Sequence, residues 1–273
     1  MIDSIPASLF VDDRGAGTPV VLLHSSGMSS RQWRSLAARL APSHRVLAPD
    51  FVGTGKNPLW DDSVPFHYGL DVAAVGRLLD GVEGPAHLVG HSYGGLIALA
   101  VARTWPERVR SVAVFDPVAF GVLHDPADEA GLADLRQAEA QPVFTDEALG
   151  GSEAWMQSFI DYWNGPDAWR SLASPTQEQF LRVGRTVFRE VMSLMADRTG
   201  VASYAAMTAP TLLLAGERSP TAARRVTEVL RAALANARRE VVPGAGHMGP
   251  LTHGPIVDGL IARHIDAAEA SSE

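Results

Sequence analysis

Short apolar runs recur along the chain, and each is followed by a stretch in which apolar residues return every three or four positions. That alternation predicts a mostly parallel β-sheet covered by helices. The runs at residues 18–23, 45–48, 87–90, 109–115, 211–215 and 239–242 read as strands. The first is dense in Val and Leu, as expected for a strand buried on both faces. Helical periodicity follows at about residues 30–40, 68–79, 94–103, 221–234 and 255–268. In the first of these helices Trp33, Leu36, Ala37 and Leu40 share one face, and Ser29 or Ser30 is the expected cap. Pro49-Asp50, then Gly53, Gly55 and Pro58, mark a long loop, and Asp116-Pro117 closes the strand at 109–115.

Between about residues 120 and 199 the rhythm changes to amphipathic helical stretches with no clear strand. The expected organisation is therefore a core made of residues 1–119 and 200–273, with residues 120–199 as an inserted helical cap. No internal repeat is visible.

Composition narrows the function. With 46% hydrophobic and 20% charged residues the 273-residue chain reads as a globular protein of one large domain or two small ones. A formal net charge of -8, with Lys56 the single lysine, argues against nucleic acid as a partner. The absence of cysteine excludes disulfides, thiolate metal sites and a Cys nucleophile. Asp3 stands where a signal peptide would be basic, and no run reaches the ~18 apolar residues of a membrane span. A cytoplasmic protein with no membrane partner is expected.

The most specific motif is Gly90-His91-Ser92-Tyr93-Gly94, which fits G-x-S-x-G and lies between a predicted strand and a predicted helix. A nucleophile on so sharp a turn needs a strained backbone and small residues two positions away on each side, which Gly90 and Gly94 supply. The turn lifts the Ser92 hydroxyl above the sheet and leaves the Tyr93 N–H free for an oxyanion. The loop His24-Ser25-Ser26-Gly27 offers a second donor at the Ser26 N–H. Serine needs a base, and His247 is the best placed histidine, in the Gly-rich loop after the last strand, with His253 as a rival. His44, His87 and His91 read as structural.

These residues resemble the α/β-hydrolase family over nearly the whole chain. The resemblance rests on residues 24–27, the 49–55 loop, the Ser92 turn, Leu212-Leu213-Leu214-Ala215-Gly216 and Gly244-Ala245-Gly246-His247. It implies the α/β-hydrolase fold: a mostly parallel eight-stranded sheet flanked by helices, an inserted helical cap, and a triad in the order Ser, acid, His. Most look-alikes carry an Asp three residues after the glycine that ends the strand following the cap, but here that position is Ser219. Two acids can replace it: Asp116, at a strand end where some branches of the family carry theirs, is the favoured one, and Glu217 is the alternative. Asp50 precedes Ser92 and reads as a loop-ordering residue.

Gly244-x-Gly246-x-x-Gly249 matches a dinucleotide fingerprint formally, but too little chain follows for a βαβ unit. Gly53-Thr54-Gly55-Lys56 lacks the leading glycine and the hydroxyl residue of a phosphate loop. No clustered metal ligands are seen, and no cofactor is expected. His24, Ser25, Trp155, Phe159, Trp163 and Met248 are the candidate substrate contacts. The expected activity is hydrolysis of a small to medium, apolar carboxylic ester through an acyl-enzyme on Ser92. C–C bond hydrolysis, lactone opening and perhydrolysis stay open as alternatives, as does a non-catalytic small-ligand receptor on the same fold.

Overall fold

The computed structural model describes residues 9–125 and 127–271. Its strands are β1 (Val11–Arg14), β2 (Thr18–Leu23), β3 (His44–Pro49), β4 (Ala86–His91), β5 (Val109–Phe115), β6 (Thr211–Gly216) and β7 (Ala237–Val242). They form one sheet in the order β1-β3-β2-β4-β5-β6-β7. β1 runs antiparallel to β3, and every other pairing is parallel. The described residues thus supply seven strands where the family resemblance implies eight.

All the strands read from the sequence are present: β2, β4, β5 and β6 are buried almost throughout and carry apolar runs, whereas β7 is an edge strand whose Arg238 and Val241 are exposed. β1 was not foreseen. It is a four-residue edge strand, Val11-Asp12-Asp13-Arg14, only half covered, and its charges suit an edge that must not recruit further strands.

Helices α1 (Arg34–Leu40), α2 (Gly69–Asp80), α3 (Tyr93–Thr104), α10 (Thr221–Ala233) and α12 (Gly254–Ala270) cover the sheet. Along β2 the period of two divides the core: Val20 and Leu22 pack with Leu36 and Ile261, and Val21 and Leu23 with Val75 and Ile97. The predicted serine cap before α1 is not made. A short 3-10 turn, Ser30–Trp33, precedes the helix, and no side chain caps it. Instead the buried Asp50 carboxylate accepts the Ser30 N–H at 2.6 Å and the Lys56 N–H at 2.8 Å, tying two loops together.

Between β5 and β6 lie α4 (Glu129–Glu139), α5 (Pro142–Thr145), α6 (Glu153–Asn164), α7 (Ala168–Ser171), α8 (Ser174–Arg182) and α9 (Gly184–Met195). This insert has an apolar cluster of its own, built around Trp155, Met156, Trp169, Phe180, Val187 and Phe188. The short helix α11 (Gly249–Thr252) precedes α12. Among the described residues no helix is long and apolar enough to cross a membrane.

Because β2, β4, β5, β6 and β7 are parallel, their carboxyl ends meet at one edge of the sheet. The loops that follow bring Ser25-Ser26, Ser92, Asp116, Ser219 and His247 to that edge, which is where open parallel sheets place their ligands.

Candidate active site

Ser92 sits between β4 and α3 with φ 54° and ψ −117°, a left-handed backbone that a side-chain-bearing residue adopts only at a cost. The neighbouring glycines are required. A Cβ on Gly90 would stand 2.3 Å from the Gly94 carbonyl oxygen, and one on Gly94 would stand 2.3 Å from that of Leu23. As the first residue of α3, Tyr93 has no intrahelical acceptor for its N–H. The Ser26 N–H likewise has no acceptor among the described residues. Two backbone donors are therefore free beside Ser92.

At the end of β5, Asp116 is also held at positive φ, 45°, and its carboxylate is fully buried. Three donors converge on it. His247 Nδ1–H donates to Oδ2 at 3.2 Å, the Gly216 N–H donates to Oδ1 at 3.3 Å, and the Ser219 hydroxyl donates to Oδ2. Burial pushes the Asp116 carboxyl up to about 7, and the Ser219 hydroxyl is the strongest influence pulling it back. The same burial pushes His247 down to about 3, which leaves its imidazole neutral near pH 7 and able to accept a proton.

The backbone of His247 is fixed from below by His91, whose Nε2–H donates to the His247 carbonyl at 2.8 Å. His91 Nδ1 accepts from Gln32 Nε2 at 3.1 Å, and Gln32 Oε1 in turn accepts the Ser25 N–H at 3.0 Å. One chain of polar contacts thus joins the Ser25-Ser26 loop to the His247 loop. His91 carries no charge in this setting, since burial pushes it down to about 3.

Ser92 and His247 line the same apolar cavity of about 320 Å³, together with Ser25, Ser26, Phe159, Trp163 and Met248. No hydrogen bond joins the Ser92 hydroxyl to His247 in this structure, and nucleophile–base contacts often tighten only in the substrate complex. Trp163 of α6 stacks on the His247 ring, with centroids 3.9 Å apart and 23° between planes. On the other side of this pair lies a more polar cleft of about 650 Å³ that reaches His247, Ser219 and His253 but not Ser92.

Several expectations need correction. His24 does not line the cavities beside Ser92. It is fully buried, donates from Nδ1 to the Ser25 carbonyl at 2.8 Å, and accepts the Phe51 N–H at Nε2 at 3.0 Å. It orders the loop that carries Ser26. Trp155 is also turned away. Its indole N–H donates to the Phe144 carbonyl at 2.9 Å, and its ring stacks with Phe159 at 5.1 Å inside the insert. Glu217 does not meet His247, because its carboxylate accepts the Gly244 N–H at 2.7 Å. His253 is paired with the Thr252 hydroxyl at 2.9 Å and lies in the polar cleft.

Sequence reasoning passed over Ser219, Gln32 and Glu190. Ser219 was visible only as a missing acid, whereas a hydroxyl at that site suits a carboxylate arriving from β5. Gln32 carries no motif at all. Glu190 of α9 is fully buried, and burial together with the nearby Asp71 pushes its carboxyl well above the usual carboxylate range. Among the described residues no group of three or more His, Asp or Glu side chains is arranged to hold a metal ion.

Comparison with known proteins agrees with this fold. A family model described as the alpha/beta hydrolase family matches residues 20–258. A 2-hydroxy-6-oxo-2,4-heptadienoate hydrolase of Pseudomonas putida is 39% identical over 112 residues, 39% of this chain and 40% of that protein. A pimeloyl-[acyl-carrier protein] methyl ester esterase of Methylococcus capsulatus is 36% identical over 106 residues, 39% of each chain. These alignments span about two fifths of the relatives' length. Among solved structures, a thermophilic esterase from Thermogutta terrifontis superposes with a TM-score of 0.69 at 23% identity, covering 95% of this chain and 93% of that one. A hydrolase from Pseudomonas aeruginosa gives 0.71 at 24% identity, covering 93% of each.

Proposed function

The chain belongs to the alpha/beta hydrolase family, and on that footing we propose that it is a serine hydrolase cleaving small to medium apolar carboxylic esters. The observation that carries this reading is the Asp116–His247 pair opening onto a cavity that Ser92 also lines. In the proposed reaction His247 Nε2 takes the Ser92 proton as the hydroxyl oxygen attacks the ester carbonyl. The oxyanion is held by the Tyr93 and Ser26 N–H groups. Asp116 keeps the imidazole in the right tautomer and offsets its charge while it holds the proton. The proton then passes to the departing alcohol, and the acyl group stays on Ser92. Water repeats the sequence with His247 as base, releasing the carboxylic acid and restoring the serine.

An uncharged substrate is favoured by the lining of the cavity. Among the described residues no Arg or Lys lines it, whereas the substrate named for the Pseudomonas putida relative is a carboxylate. Burying a carboxylate there without a partner would be costly.

The test is turnover of p-nitrophenyl esters by wild type, Ser92→Ala, Asp116→Asn and Glu217→Gln. The expected result is loss of turnover in Ser92→Ala, a fall of about 10⁴-fold in Asp116→Asn, and near wild-type turnover in Glu217→Gln. A Glu217→Gln loss matching that of Asp116→Asn would transfer the acid to Glu217. Unchanged turnover in Ser92→Ala would remove the mechanism.

A further inference from the structure

Ser92 opens onto two spaces of very different size. The larger is the cavity of about 320 Å³ that His247 also lines. The other measures only about 20 Å³ and lies away from the imidazole. Val118, Phe120, Leu135, Val191, Leu194 and Met195 line it and not the larger cavity, while Ser26, Phe159 and Trp163, like Ser92, line both.

The chemistry assigns the two spaces. The imidazole that receives the Ser92 proton must hand it to the leaving oxygen, so the alcohol half of an ester has to lie where His247 reaches. The acyl half then points the other way, into the small slot. From this geometry we propose that the preferred substrate is an ester of a short acyl group, of two or three carbons, with a larger apolar alcohol. The proposal rests on the reading of Ser92 as nucleophile.

Size supports it. At about 20 Å³ the slot is much the smaller of the two spaces, the cavity measuring about 320 Å³. A short acyl group therefore suits the slot, and a longer chain must displace packed side chains. The larger cavity, walled by Met28, Ile160, Leu172, Phe180 and Met248, takes a ring or branched chain with no charged group. In the reaction the Ser92 Oγ–carbonyl carbon bond forms and the carbonyl carbon–alkoxy bond breaks. The serine proton leaves with the alcohol, and water then cleaves the acetyl-serine to acetate and a proton.

Two matched ester series test the assignment. In the first the alcohol is fixed as p-nitrophenol and the acyl group runs from acetate through butyrate to hexanoate. In the second the acyl group is fixed as acetate, and ethyl acetate is compared with cyclohexylmethyl acetate, two alkyl alcohols of similar acidity. The expected result is a kcat/KM for p-nitrophenyl acetate at least about tenfold above that for the hexanoate, and a similar advantage for cyclohexylmethyl acetate over ethyl acetate. Leu194→Ala should move the acyl optimum to butyrate or hexanoate. Val191→Ala, a smaller truncation, serves if the first variant does not fold.

Preference of the wild type for hexanoate, or an acyl profile that neither truncation changes, overturns the slot assignment while ester turnover by Ser92 still stands. No hydrolysis in either series, with Ser92 inert to a phosphonylating probe, overturns the nucleophile reading and this proposal with it.

Discussion

Ser92 and Asp116 are both held at positive φ although neither is glycine, and both stand where a strand ends at the site. Such conformations cost about 1–3 kcal/mol each and persist where surrounding structure enforces them. At Asp116 the enforcement is visible in its three donors, the His247 imidazole, the Gly216 N–H and the hydroxyl of Ser219, which stands where the family resemblance implies an acid. Ser219→Ala removes that donor, and a hydrogen bond to a charged group contributes about 1.5–3 kcal/mol, so kcat at pH 7 should fall by about tenfold with KM little changed. Ser219→Asp should do worse, because a second carboxylate beside Asp116 forces one of the pair to hold a proton. Steady-state kinetics of the two variants at pH 7 check this. Ser219→Asp outperforming Ser219→Ala would show that the acid belongs at 219. Why the sequence left Asp116 and Glu217 undecided is also clear at this scale. Only the path of the loop after β6 turns Glu217 outward to the Gly244 N–H, and no local pattern encodes that path.

Among the elements, the turn from β4 to α3 is the one whose local sequence dictates its shape most strictly. A Cβ on Gly94 would meet backbone oxygen, which cannot move aside as a side chain would. Gly246, beside the histidine, looks equally important in the sequence, yet a Cβ there would meet nothing within 4 Å. Gly94→Ala should therefore destabilise by about 3 kcal/mol or more, and Gly246→Ala should stay within about 0.5 kcal/mol of wild type. Denaturant unfolding of the two variants decides it, and equal losses would contradict the account. The buried parallel strands were legible because an unbroken apolar run has few other interpretations. β1 was not, since four residues with three charges carry no such run. In the insert, helical periodicity showed that helices form but not which face meets the site. Phe159 and Trp163 reach Ser92 while Trp155, on the same helix, turns into the insert's own core.

For the molecule as a whole, the insert and the sheet meet at His247, where Trp163 closes one face of the imidazole and divides the apolar cavity from the polar cleft. Burial is what depresses His247 to about 3. Trp163→Ala opens that face to water, so the histidine should rise toward its ordinary value of about 6.5. A base with a higher pKa is protonated, and lost, at higher pH. The acid limb of kcat/KM should therefore move to higher pH in Trp163→Ala, with activity at pH 5 falling more than activity at pH 8. An unshifted limb would mean that Trp163 does not control the imidazole. The five strand ends that gather Ser26, Ser92, Asp116, Ser219 and His247 lie far apart in the chain, so their meeting follows from the sheet order and could be inferred from sequence only through resemblance.

The most direct test of the central claim is covalent. After treatment with a fluorophosphonate, peptide mass spectrometry should find a single adduct, on Ser92, that forms much more slowly in Asp116→Asn and is absent from Ser92→Ala. An adduct on another serine, or ester turnover by a protein whose Ser92 stays unmodified, would contradict the account.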